Sequence, residues 1–160
     1  MTPAQAAAAA LPTVAQVAAL VQRDFQRFVV IKGQTVIDPP ARTLVNVDTI
    51  FSTPTNASVM LDPLTLLGRR VLITIKPETY TWHFGDGTSR TTTTPGRPRV
   101  KDVTHVYRRA AAVSPYVVIS WSGTFTVDGS EPLTVQGRAT TTGPGTPLRV
   151  LTAQSELVAR

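Results

Sequence analysis

His83 and His105 are the only histidines in the chain, and there is no cysteine among its 160 residues. A zinc site built on two histidines needs carboxylates for its remaining positions, and no His-x-x-x-His or His-Glu spacing supplies one. Absence of cysteine removes disulfides, thiolate metal sites and a cysteine nucleophile together. No Gly-x-Ser-x-Gly elbow presents a serine for acyl transfer. Glycoside hydrolysis needs two acids facing one cleft. The ten acids stand singly, and Asp38, Asp62, Asp86 and Asp128 each adjoin Pro or Gly, the setting of a turn former. Asp86 has no acidic neighbour in sequence for an oxygen-rich calcium cage. Gly85-Asp86-Gly87 lacks the lysine and helix of a phosphate loop. No catalytic residue, metal ligand or cofactor is expected.

Cations are the second chemical resource. The formal charge is +6, and Arg90, Arg97, Arg99, Lys101, Arg108 and Arg109 fall within twenty residues, with Asp102 between them. Such a cluster suits an anionic surface, such as wall polymers or lipid headgroups, or else a solvated loop. Nucleic acid is not expected, because residues 88–102 hold no aromatic side chain on which a base could stack.

These residues need elements to hold them. Apolar residues make up 42% of the chain and charged ones 16%, and prolines number 13. A composition rich in Thr, Val and Pro favours extended backbone, since β-branched side chains fit a pleated sheet better than a helix. The expected class is all-β, in one domain. Residues 1–12 read as a flexible Ala-rich leader; with no basic n-region and only a feebly apolar middle, they do not read as a signal peptide. One helix is expected over 13–28. Thr13 and Gln16 form a capping box, and Val14, Val17, Ala18, Val21, Phe25 and Phe28 share a face. That amphipathic helix should dock its apolar face on the sheets.

From residue 29 to 152 the pattern changes to period two. Val71, Ile73 and Ile75 share one strand face. After Lys76-Pro77-Glu78, a separate strand places Tyr80, Trp82 and Phe84 together. Gly85-Asp86-Gly87 ends it, and residues 88–102 read as a long mobile loop. Val117, Ile119, Trp121, Phe125 and Val127 alternate along the longest strand, with Gly123 suggesting a bulge. Asp128-Gly129 is a hairpin signal. Leu133 to Thr142 and Leu148 to Leu151 supply closing strands, and 153–160 form a tail that adds a turn of helix. Seven to nine short strands with turns between them suit a two-sheet antiparallel sandwich.

Within that frame, YTWHFGDG at Tyr80 to Gly87, THVY at Thr104 to Tyr107 and YVVISW at Tyr116 to Trp121 resemble the signature of the PKD domain. The helix rich in Ala, Val and Gln, the stretch Leu44 to Val47, the Gly-Asp-Gly turn, the Pro-Gly loop and His105 to Arg109 together resemble exported actinobacterial proteins that carry one PKD-like, immunoglobulin-like sandwich. The resemblance implies structural duties for Trp82, Phe84, Gly85, Asp86, Gly87, His105, Tyr107 and Trp121. Trp82 fills the centre, Asp86 ties its turn to backbone N–H groups, Tyr107 braces a backbone carbonyl, and His105 bonds locally. Two departures stand out: His83 replaces a usual acid or asparagine, and Ala110-Ala111-Ala112-Val113-Ser114 replaces an expected glycine.

The resemblance also implies an extracytoplasmic location, secreted or membrane-anchored, with the signal or anchor upstream of residue 1. The function expected is a non-catalytic interaction or spacer module at the cell surface, binding a protein or a glycan. The alternatives are a structural subunit of a surface or pilus-type assembly and, last, an unrecognised enzyme.

Overall fold

The computed structural model describes residues 13–153. The leader assigned to 1–12 and the helical turn assigned to the tail lie outside them. The described chain is mostly β, with one helix at its N-terminal end and several antiparallel sheets, none closed into a barrel. It divides into two units, one of residues 13–29, 58–76 and 122–139, the other of 30–57, 77–121 and 140–153.

In the first unit, helix α1 (Val14–Phe28) starts where the side chains of Thr13 and Gln16 each bond the other's backbone N–H. Val17, Val21 and Phe25 recur every four residues and are buried, while Val14 is left exposed. Gln22 fixes the helix further: its Nε2 donates to the Thr134 carbonyl (2.9 Å) and its Oε1 accepts from the Gln136 N–H (2.7 Å).

The strands are β1 (Val36–Asp38), β2 (Arg42–Leu44), β3 (Asp48–Ser52), β4 (Val59–Met60), β5 (Leu64–Leu66), β6 (Arg69–His83), β7 (Ser89–Thr92), β8 (Thr104–Val106), β9 (Ala111–Val113), β10 (Tyr116–Val127), β11 (Leu133–Thr134), β12 (Ala139–Thr142) and β13 (Leu148–Leu151). They hydrogen-bond into three sheets, where turn spacing suggested two. The largest runs β11-β10-β6-β4, with β5 and β7 also on β6 and β12 on β10; the smaller ones run β1-β3-β8 and β2-β13-β9. The β13–β2 pair is parallel.

Four local expectations need correction. Lys76-Pro77-Glu78 does not break the chain into two strands, because β6 runs unbroken through Pro77. The register explains why: β4 ends its pairing at Ile75 and β7 begins at Tyr80, so on that edge no partner asks for the missing N–H. The buried residues also change from Val71, Ile73 and Ile75 to Tyr80 and Trp82. A slip of phase by one residue is what a single inserted residue does to a strand.

Gly123 is the second correction. It continues the buried alternation of β10 without a break, and a Cβ there would lie 2.7 Å from the Phe25 ring. Its smallness admits the helix. Third, Leu133 to Thr142 is two strands: β11 ends at Thr134, with Val135 still donating its N–H to the Gly123 carbonyl (2.9 Å) in the same register, and β12 begins only at Ala139.

Fourth, residues 88–102 are not a loop without structure. They begin with β7, whose Thr91 and Ser89 lie opposite Thr81 and His83. Beyond it, Pro95 accepts a backbone bond from Thr53 (2.9 Å). Thr-rich strands carry no apolar alternation, so the sequence pattern is silent here.

In the second unit, Phe51 of β3 meets the Trp82 and Phe84 rings at centroid distances of 6.2 and 5.0 Å. Each indole N–H finds a threonine: Trp82 donates to Thr92 Oγ1 and Trp121 to Thr141 Oγ1, both at 3.0 Å. Among the described residues, no helix is long and apolar enough to cross a membrane.

Candidate functional site

The residues that carry chemical potential meet where β6 ends. Gly85 and Gly87 both take φ of +86°, open to glycine but strained for other residues. Gly85 is needed twice over, since a Cβ there would stand 2.8 Å from Val113 Cβ. The turn closes when Phe84 donates its N–H to the Thr88 carbonyl (3.1 Å). Inside it, Asp86 Oδ1 accepts the Thr88 N–H (3.0 Å) and the Thr88 hydroxyl. Asp86 Oδ2 accepts from His105 Nε2 at 2.7 Å. The His105 ring lies flat on Phe84 at 3.9 Å and edge-on to Tyr107 at 4.7 Å. Tyr107 completes the corner by donating its hydroxyl to the Phe84 carbonyl at 2.7 Å.

The electrostatics follow from this wiring. Burial raises the Asp86 pKa, but the Thr88 hydroxyl and amide together with His105 outweigh it, so the carboxyl sits below its usual range. Burial, helped by the Asp86 charge, pushes the Tyr107 phenol far above its ordinary value.

Carboxylate, imidazole and hydroxyl in contact invite comparison with a catalytic relay, and the geometry argues against it. A relay places the carboxylate on one imidazole nitrogen and the nucleophile on the other. Here Thr88 Oγ1 approaches the same Nε2 that meets Asp86, at 3.5 Å, while donating its own proton to Asp86. The threonine hydroxyl is a turn clamp. Among the described residues, no group of three His, Cys, Asp or Glu side chains gathers to hold a metal. His83 lies apart from His105 and stacks on Tyr116, with ring centroids 4.7 Å apart.

The six cations grouped in sequence have different local partners. Arg97 pairs with Asp102 (2.8 Å) and Lys101 with Asp48 (3.2 Å). Arg90 sits on β7 opposite Trp82, and Arg99 holds a left-handed φ of 62° in the following turn. Arg108 donates to Asn46 Oδ1 (3.2 Å), a neutral acceptor. Arg109 has no hydrogen-bonded or ion-paired partner among the described residues.

Arg108 and Arg109 line an open groove of about 470 Å³ whose other wall is the Gly85–Thr88 turn and whose lining continues to Val113. Sequence reading missed this groove. It treated Ala110 to Ser114 as filler for a missing glycine, whereas Ala111–Val113 is a strand against β13. Three alanines in a row give no period, so only the pairing reveals it. It also missed Thr92 and Thr141 as indole partners, because no local signal marks a contact 10 or 20 residues away. No protein-family model matches the chain, and no curated protein matches its sequence.

Proposed function

We propose that the chain is a PKD-like, immunoglobulin-like sandwich that serves outside the cytoplasm as a non-catalytic interaction or spacer module, binding a protein or a glycan at the cell surface. One observation carries this reading: the side-chain groups able to do chemistry hold one another. Asp86, Thr88, His105 and Tyr107 form a closed set of bonds about the turn. A group that acts on substrate must instead direct a lone pair or proton at an open position. The sandwich reading draws support from the second unit, where Phe51 of β3 packs against Trp82 of β6 and Phe84 just beyond its end. The corner-bracing tyrosine and the buried Trp82, which is 1% exposed, support it too.

The test is retention. Labelled protein is incubated with intact bacterial cells and, separately, with purified insoluble cell-wall glycan, and pellets and supernatants are assayed. Saturable retention without release of soluble sugar is expected. Release of sugar fragments, or no saturable retention on either material, overturns the reading.

A further inference from the structure

The groove beside the Gly-Asp-Gly turn has a strand edge for a floor. Among the described residues, β9 pairs with β13 on one side only, through Leu148↔Val113, Arg149↔Ala112 and Val150↔Ala111. Which of these pairs is hydrogen-bonded follows from Arg149, whose N–H donates to the Ala41 carbonyl (2.9 Å) beside β2. The N–H and C=O of one strand residue point to the same side, so both groups of Arg149 face away from β9. In an antiparallel ladder the residue opposite then also faces outward. Ala112 therefore directs its N–H and C=O to the open side. Edges are ordinarily blunted by lysine, proline or a bulge. This one offers Ala110, Ala111 and Ala112, all exposed and too small to block an approaching backbone.

Charge selects the visitor. Arg108 and Arg109 precede the edge and have no carboxylate partner among the described residues, on a chain of net charge +6. Asp86, the one carboxylate in the lining, has its oxygens bonded to Thr88 and His105. A second copy of the chain is the wrong occupant, because β9 laid on β9 brings four guanidinium groups together. From the open edge and two cations with no carboxylate among the described residues beside them, we infer that β9 accepts an extended acidic peptide segment as an added strand, with Arg108 and Arg109 holding its carboxylates. The inference rests on the binding-module reading and adds a site and a partner class to it.

The probe is a synthetic octapeptide of alternating Glu and Val, capped at both ends, with the Gln–Val peptide as control. Amide NMR spectra of the protein are recorded during titration at low salt. Shifts centred on Ala110 to Val113, with slowed hydrogen exchange at Ala112, are expected for the acidic peptide. Raising salt should weaken binding. Arg109→Gln should weaken it about tenfold, as loss of a charge-assisted contact does. Ala112→Pro should abolish it by removing the donor; because proline can disturb β9, Arg108→Gln with Arg109→Gln serves as the independent variant, checked for unchanged far-UV dichroism. An unperturbed edge at millimolar peptide sinks the inference, as does equal binding of the Gln–Val peptide or concentration-dependent pairing of the protein through β9. Retention of the unaltered protein on cells or wall glycan is scored separately. If that persists while the peptide fails, only the edge is refuted.

Discussion

Tyr107 shows how little of the corner is free to act. Its ring is buried, and its hydroxyl donates to the Phe84 carbonyl from the β8–β9 side of the corner. Tyr107→Phe keeps the ring and deletes only that donor, leaving a carbonyl of a buried residue unmatched. It should cost about 1–3 kcal/mol by urea denaturation, the penalty of a buried group left unpaired. A change within about 0.5 kcal/mol, the ordinary surface range, would mean that the hydroxyl braces nothing. At this scale the sequence was informative about half of each contact. Trp82, Asp86, His105 and Tyr107 were readable as a set because the motif fixes their spacing. Thr88, Thr92 and Thr141, which receive or clamp them, were not, since threonine is so common here that no single one stands out.

Elements were legible where one local signal was enough to specify them. The capping box and the helical spacing of apolar residues placed α1 to within one residue, and Asp128-Gly129 placed a turn in which both residues do take positive φ, 49° and 74°. Elements that depend on a distant neighbour were not legible: β7, β9 and the continuity of β6 through Pro77 exist because another strand lies at the right register. Gly123 belongs to the same class. A glycine inside an alternating strand reads as a bulge until the Phe25 ring is seen against it. Gly123→Ala puts a methyl group where the ring edge lies and should destabilise by about 1–3 kcal/mol, the usual cost of overpacking. Alanine restricts the unfolded chain and offsets up to about 1 kcal/mol of that. Phe25→Leu in the same protein should recover part of the loss, giving a coupling that neither change shows alone. Additive effects of the two substitutions would show that helix and glycine do not share a contact.

For the molecule as a whole, charge is the property that sums over residues, and it sets the response to acid. Four aspartates lie below their usual pKa range. Asp24 is held down by the hydrogen bond from Arg23, Asp102 by that from Arg97, and Asp128 by the Arg70 amide and Arg69. At Asp86, burial opposes the lowering and the Thr88 and His105 bonds exceed it. A carboxyl with a folded pKa below its unfolded value of about 3.9 stabilises the fold fully above that value. The contribution fades as pH falls through the depressed folded pKa. Surface pairs such as Arg23–Asp24 and Arg97–Asp102 are screened and add little each, so the slope should come mainly from Asp86, whose bonds are internal to a turn. Protonation also raises a charge that is already +6, and self-repulsion then works in the same direction. The urea midpoint should stay level from neutral pH to about pH 5 and fall steeply below about pH 4. Asp86→Asn should lower the midpoint at pH 7 and flatten the acid limb, because the group that loses its partners on protonation is gone. A midpoint constant down to pH 2, or an acid limb equally steep in Asp86→Asn, would show that the Gly-Asp-Gly corner does not depend on its carboxylate.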